Sequence, residues 1–308
     1  MISNTSQPIS ILHSLLKTHF GFDDFRENQL EIIEHVLAKK HTLAIMPTGG
    51  GKSLCYQLPA LAMEGTAIII SPLIALMKDQ VDSLCANGIA AAFFNSSQPA
   101  EVQNRILNRL SNQELKLLYV APESLWNLLP YLKEITISLV AIDEAHCISA
   151  WGHDFRPAYT QLHQLPKEFP DTPIIALTAT ADRATQDDIV TQLNIGKVKR
   201  FISSFDRPNL FLEVRPGQQR MPQILSFLKK RKQDSGIIYC LSRKSTEKVA
   251  AQINAKGYKA TAYHAGLESE ERDRIQEAFV NDEIPIIVAT IAFGMGIDKS
   301  NVRWVIHY

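Results

Sequence analysis

The segment Thr42-Leu43-Ala44-Ile45-Met46-Pro47-Thr48-Gly49-Gly50-Gly51-Lys52-Ser53 leads from an apolar strand candidate, Thr42–Met46, into an apolar helix candidate, Leu54–Met63. Consecutive glycines let backbone N–H groups turn inward around an anion. A helix that starts here aims its N-terminus at the same point. Thr48, Gly49, Gly50 and Gly51 form the cradle, Lys52 can reach a β or γ phosphate, and the Ser53 hydroxyl can ligate Mg²⁺. The strict phosphate-loop spacing fails at its first position, which is Met46. Strand, glycine turn and helix in this order predict an α/β fold.

The same alternation continues outward. Ala67–Ser71, Lys116–Val120, Leu139–Ile142 and Ile174–Leu177 are further apolar runs, separated by amphipathic segments such as Ala100–Leu110 and Asp182–Leu193. Strands that are apolar throughout predict parallel sheets covered by helices on both faces. Turn formers over 203–209 interrupt the pattern. It restarts with Leu210–Arg215, a helix through Lys232, Gly236–Leu241, a helix over Ser245–Lys256, Ala260–His264, a helix over Glu268–Val280 and Ile286–Thr290. A boundary near residue 205 divides the chain into 1–204 and 205–308. The final run, Val302–Tyr308, reads as a buried strand.

Composition narrows the function classes. With 308 residues, 45% of them hydrophobic, the chain can build real cores. Its 32 basic and 32 acidic residues give a net charge of +0, which excludes polyanion binding by bulk charge but not a local basic groove. The stretch Lys199–Lys232 is the one charge asymmetry; it reads as a solvated helix face plus linker, the alternative being a phosphate-tracking surface. No run approaches the roughly 18 apolar residues of a membrane span, and the polar N-terminus has no signal pattern. Cys55, Cys85, Cys147 and Cys240 are scattered and form no C-x-x-C pair, so no zinc site or disulfide framework is expected. A soluble protein of a reducing compartment is the expectation.

Leu139-Val140-Ala141-Ile142 ends in Asp143-Glu144-Ala145-His146. A carboxylate at the end of a buried strand can hold Mg²⁺, and Glu144 is placed to orient or deprotonate a water. In a doubly wound sheet the strand carrying these residues ends on the same edge as the phosphate loop.

At Asp143-Glu144-Ala145-His146 the sequence resembles the superfamily 2 helicases with a DEAH box. Read with its surroundings, it resembles the RecQ family of DNA helicases, over about residue 12 to Tyr308. The resemblance implies two RecA-like lobes of the P-loop NTPase fold, the second incomplete. It implies ATP and Mg²⁺ as cofactors, and single-stranded and partial duplex DNA as partners. The stretch Phe20–Gln29 resembles the family's adenine-reading motif: Gln29 pairs with the base edge, Phe22 stacks, and Arg26 stacks or pairs nearby. Phe25 also fits ordinary core packing. Trp151, His153, Phe155 and Arg156 lie in a segment that resembles the aromatic-rich loop of RecQ proteins, where ring stacking on bases contributes roughly 1–3 kcal/mol each. Ser71, Pro72 and Lys78 lie in a stretch that resembles the motif gripping the single-strand backbone, and Ala121-Pro122-Glu123-Ser124 repeats its pattern; the alternative for either is a plain strand-to-helix turn. Thr178 and Thr180 resemble the motif coupling hydrolysis to strand movement. With Lys52, Asp143, Glu144 and His146 they make up the implied catalytic set; Ser53 and Asp143 are the implied metal ligands. In the second lobe, Ser242, Arg243, His264 and Thr290 match nucleic-acid motifs, and Asp298 matches a nucleotide contact. Ser300 stands where the family usually has proline.

The implied function is an ATP-dependent 3′-to-5′ DNA helicase acting in recombination and repair. The alternatives are a fragment that binds ATP and single strands with little hydrolysis, or an RNA-directed motor of the same superfamily. The family's next motif, with an arginine reaching the γ-phosphate, would follow Tyr308, so weak hydrolysis by these residues alone is expected. Zinc is expected only in a downstream module. A monomer is expected, with no membrane association; for a bacterial protein the location would be the cytoplasm, near the nucleoid.

Overall fold

A computed structural model describes residues 6–150, 154–204, 209–293 and 299–308. It divides into two compact units, Met1–Asn209 and Leu210–Tyr308. The first unit carries strands β1 (Thr42–Ile45), β2 (Thr66–Ile70), β3 (Ala91–Phe94), β4 (Leu117–Val120), β5 (Ile137–Ile142), β6 (Ile174–Thr178) and β7 (Lys199–Ile202). They form one sheet in the order β3-β4-β2-β5-β6-β1-β7, every pair parallel.

Successive side chains of a strand point to opposite faces, so a strand covered on both sides must be apolar at every position. Leu43 and Ile45 enter one core with Ile70, Val140 and Ile142, while Ala44 and Met46 enter the other with Ile69, Ala141 and Leu177. The N-terminal helix Ser6–Leu15 adds a third cluster. Its Leu12, with Leu16, packs on Leu54 and Leu58, fixing the helix Leu54–Ala62 that leaves the glycine loop.

Strand order decides where a site can form. From β1 the chain crosses towards β2, and from β6 it crosses the other way to β7, although β1 and β6 are neighbours. Such a reversal opens a crevice beyond the carboxyl ends of the two strands. Register places Ile45 beside Thr178 and Ile70 beside Ile142, so the segments after β1, β6, β5 and β2 emerge on one edge.

The second unit holds β8 (Ser235–Tyr239), β9 (Ala260–Tyr263), β10 (Ile286–Ala289) and β11 (Val302–His307), in the parallel order β11-β8-β10-β9. A Cβ on Gly236 of β8 would stand 2.2 Å from the Trp304 indole, so only glycine lets β11 lay that ring across its neighbour.

Two strands escape the sequence reading. β3 is Ala-Ala-Phe-Phe, too short and too small to signal. β7 begins Lys199-Arg200 and exposes three of its four residues, a charged edge that blocks further pairing. In the other direction, Leu210–Arg215 forms no strand: Phe211, Leu212 and Val214 are 87%, 89% and 99% exposed. Part of the basic stretch is locally partnered. Arg200 pairs with Asp187 at 2.7 Å, Lys199 lies over the Phe201 ring, Arg215 pairs with Glu213 at 2.8 Å, and Arg231 lies over Phe227. Among the described residues, no helix is long and apolar enough to cross a membrane.

Candidate functional site

The loop after β1 is anchored at both ends. Met46 N–H donates to the Thr178 carbonyl at 3.1 Å, and Gly50 N–H turns back to Pro47 O at 2.9 Å. Gly49 and Gly51 have φ of 77° and 79°, a region that side chains resist. Lys52 Nζ donates to Met46 O at 3.3 Å, which folds the ammonium under the loop.

Two residues of the adenine-reading motif brace this loop from outside. Arg26 Nη1 donates to Gly49 O. Gln29 Nε2 donates to Gly51 O at 3.1 Å, while its Oε1 accepts the Arg26 N–H at 2.8 Å. A Cβ on Gly51 would sit 2.3 Å from Gln29 Nε2. Gln29 is therefore buried and spent on the loop backbone, where the sequence reading has it facing a base. Phe22 is 53% exposed, as a stacking ring needs, and Phe25 packs in the N-terminal core.

The acidic half is held by side chains. Glu144 is left-handed at φ 48°, and its N–H donates to Asp143 Oδ1 at 3.0 Å. Tyr159, fully buried, donates its hydroxyl to Asp143 O at 2.9 Å. His146 Nδ1 lies 2.9 Å from Thr178 Oγ1 and 3.3 Å from a Glu144 carboxylate oxygen. Thr178 Oγ1 donates to Thr180 O at 3.1 Å, so it accepts from His146; the network thus assigns the proton to Nδ1. Burial first, then the Glu144 charge, push Asp143 up to about 6. A carboxylate raised in this way favours a cation beside it.

The motifs next to this pair share the same edge. Asp143 N–H donates to Ile70 O, and Ser71 N–H to Val120 O. Arg156 donates through Nη1 to Pro72 O at 2.9 Å and pairs with Asp154 at 3.2 Å, while Phe155 is 43% exposed. Lys78 is exposed on the helix Ile74–Ala86. Ser71 is only 2% exposed, so a strand at that turn would meet its backbone and not its hydroxyl. Trp151, His153 and Asp298 lie outside the described residues.

In the second unit, Thr290 N–H donates to Tyr263 O and Cys240 N–H to Ala289 O, which brings Ser242, Arg243, His264 and Thr290 to the carboxyl edge of that sheet. A Cβ on Gly266 would stand 2.9 Å from Arg243 Nη1. His264 is held at both ring nitrogens. It is 5% exposed, its Nε2 faces Glu247 Oε1 at 3.1 Å, and its Nδ1 accepts the Gly266 N–H at 3.2 Å. It shapes the turn and leaves Arg243 to reach outward. Ser242 is likewise occupied: its Oγ caps the helix Arg243–Asn254 by accepting Ser245 N–H.

Sequence reasoning misses Tyr159, which lies sixteen residues from the carbonyl it holds. It also misses Gln57, which donates to Tyr119 Oη at 2.9 Å and to Gln80 Oε1 at 3.1 Å, tying the loop's helix to the helix after Pro72. A polar Gln57 inside the apolar run Leu54–Ala62 is the one signal that could have drawn attention.

Known proteins match this arrangement. The family described as DEAD/DEAH box helicase matches residues 26–189, and the helicase conserved C-terminal domain matches residues 219–308. The chain is 52% identical over 300 residues to the ATP-dependent DNA helicase RecQ of Haemophilus influenzae, covering 96% of this chain and 48% of that protein. It is 47% identical over 298 residues to its Bacillus subtilis counterpart, covering 96% and 50%. The chain thus spans about half the length of these curated relatives. Among solved structures, the Mycobacterium smegmatis helicase Lhr bound to ssDNA and AMP-PNP aligns with a TM-score of 0.69 at 20% identity, over 97% of this chain and 44% of that one. A DEAD box protein from Methanococcus jannaschii aligns at 0.57 and 21%, over 100% and 84%. These structural likenesses show the fold, two RecA-like parallel sheets with helices. The chain belongs to the DEAD/DEAH box helicases, and over nearly all of its length it is similar in sequence to RecQ proteins.

Proposed function

We propose that the protein is an ATP-dependent DNA helicase that moves 3′ to 5′ on single-stranded DNA and separates duplexes during recombination and repair. One observation carries the ATP-hydrolysing part: the glycine loop and the Asp143–Glu144 pair leave neighbouring regions of one sheet edge, linked through Thr178. DNA as the polymer and the direction of travel rest on the RecQ resemblance.

Asp143 and Ser53 are hard oxygen donors and suit Mg²⁺, and the upward shift of Asp143 fits a site built for positive charge. When bound, that ion would neutralise phosphate charge. The chain's own residues divide the remaining work. Loop N–H groups and Lys52 hold the phosphates once the ammonium leaves Met46 O. Glu144 accepts a proton from the attacking water. His146 and Thr178 link that carboxylate to the segment after β6, through which strand occupancy can be reported. Phe155, Arg156 and Pro72 in the first unit and Arg243 in the second are assigned to strand binding by the resemblance, as are Trp151 and His153. Most of these contacts are to the backbone, so binding is largely indifferent to base sequence and weakens with salt.

An unwinding assay on matched DNA and RNA duplexes, each with a 3′ or a 5′ tail, tests the reading. ATP-dependent separation of 3′-tailed DNA is expected. Preference for RNA, or for 5′ tails, would overturn the assignment.

A further inference from the structure

On the side of His146 away from Thr178 stands a second set of ligand-type side chains. A His146 ring nitrogen, the Cys147 sulfur and an Asp154 carboxylate oxygen all lie within 4.8 Å of one another, the one such mixed cluster among the described residues. Cys147 Sγ is 3.9 Å from His146 Nε2 and 3.8 Å from Asp154 Oδ2. We propose that His146, Cys147 and Asp154 form a binding site for a divalent transition metal of the zinc class, and that its occupancy suppresses the nucleotide cycle.

Geometry favours this ion class. In a tetrahedral zinc site, metal–sulfur and metal–nitrogen bonds of about 2.3 and 2.0 Å place the two ligand atoms about 3.5 Å apart. The two separations to sulfur need to close by a few tenths of an ångström, and the imidazole nitrogen and Asp154 oxygen, which lie within 4.8 Å of each other, must also draw together. An imidazole, a thiol and a carboxylate form a mixed nitrogen, sulfur and oxygen set that suits zinc or cobalt and not magnesium. The fourth position falls to water.

The imidazole is oriented as metal-binding histidines are. Its Nδ1–H is directed to Thr178 Oγ1, with the Glu144 carboxylate at 3.3 Å, so Nε2 is the lone-pair side and faces the sulfur. A hydrogen-bonded far nitrogen fixes the tautomer and raises the basicity of the ligating one. His146 is 6% exposed and Cys147 fully buried, whereas Asp154 is exposed and gives the ion its entrance. Binding forms a metal–sulfur bond and releases the Cys147 thiol proton to solvent; no electron moves.

The inhibitory consequence rests on the helicase reading above. An ion there would fasten the DEAH histidine to Asp154, on the segment bearing Phe155 and Arg156. It would also compete with Arg156, whose Nε and Nη2 lie 3.4 and 3.2 Å from the same carboxylate oxygen. The element that reports strand occupancy would be tied in one position.

Cobalt chloride is the probe, titrated into the full chain carrying Cys85→Ser to remove the exposed thiol. One equivalent should give a near-ultraviolet thiolate-to-cobalt band, displaced by zinc. Cys147→Ala should abolish the band, and Asp154→Asn should weaken cobalt binding by about tenfold or more with an unchanged circular dichroism spectrum. Absence of the band, or its persistence in Cys147→Ala, would overturn the site. Zinc should suppress ATP hydrolysis in the parent and much less in Asp154→Asn; equal suppression of both, or none, would overturn the inhibitory role. A chain with the band but no hydrolysis under any condition would count against the helicase reading alone.

Discussion

The ends of β1 and β5 flank β6 on one sheet edge, yet they are held by opposite means. After β5, buried side chains do the holding: Tyr159 grips the Asp143 carbonyl, and His146 and Thr178 close the turn. After β1, polar side chains reach in to backbone carbonyls: Arg26 to Gly49, Gln29 to Gly51, Lys52 to Met46. Thr48 and Gly49 stay exposed. The acidic end is thus built in advance and carries strain in Glu144 and a raised Asp143. The loop end instead has contacts that a phosphate can exchange for its own. Preorganised charge at the end proposed for proton transfer, and exchangeable contacts at the end proposed for the nucleotide, would suit a site that must bind and release at every cycle.

The comparison breaks most severely at Lys52. Lys52→Ala removes the charged donor of the exchangeable end, and two charge-assisted hydrogen bonds contribute on the order of 3 kcal/mol. Mg-ATP affinity should fall by about a hundredfold or more in calorimetry, with little change in thermal stability. Unchanged affinity would refute the phosphate-loop role.

Asp143→Asn tests the preorganised end through stability. A carboxyl whose folded pKa is raised from 3.8 to about 6 destabilises the fold when charged. That cost is absent below pH 3.8, grows between 3.8 and 6, and is complete above 6. The neutral amide should therefore stabilise the nucleotide-free protein at pH 7.5 by on the order of 3 kcal/mol. Thermal unfolding should show this gain shrinking as pH falls through 6, while ATP hydrolysis is lost. Destabilisation at pH 7.5 would mean that the carboxylate is held by compensating contacts.

These two ends were not equally legible in the sequence. Lys52, Asp143 and Glu144 stand at strand ends whose apolar runs are visible in one dimension, and a parallel sheet brings such ends together. The packing of Gln29 and His264 was not legible because motif membership says nothing about burial. The packing that spends Gln29 on Gly51 O and His264 on Gly266 N–H is long-range for one and a local turn for the other. Edge strand β7 was hidden because an edge needs charge where a central strand needs apolar residues. Leu210–Arg215 misled in the opposite sense: its alternating apolar residues are exposed and pair with no strand.

Gly51→Ala sharpens the contrast from the loop side. The position has φ 79°, and the new methyl would lie 2.3 Å from Gln29 Nε2. Left-handed backbone costs a non-glycine residue roughly 1–2 kcal/mol, and the contact must also be relieved. Nucleotide affinity should fall by about tenfold, and adding Gln29→Ala should recover only the part due to the contact. Full recovery in the double variant would show that the backbone conformation contributes nothing.

Tyr159→Phe makes the smallest change and asks the most specific question. It removes one donor from the Asp143 carbonyl and leaves ring packing intact. A lost neutral hydrogen bond costs about 1 kcal/mol, so the melting temperature should drop by roughly 2 °C for a chain of this size. The effect on turnover should exceed that modest figure in meaning. The carbonyl belongs to the peptide joining Asp143 to the left-handed Glu144, so a looser carbonyl lets the Glu144 carboxylate wander from its water. Steady-state hydrolysis should show kcat reduced a few-fold with KM for ATP unchanged, because the loop that binds phosphate is held by other residues. A raised KM with unchanged kcat would place Tyr159 in service of the exchangeable end and erase the distinction between the two.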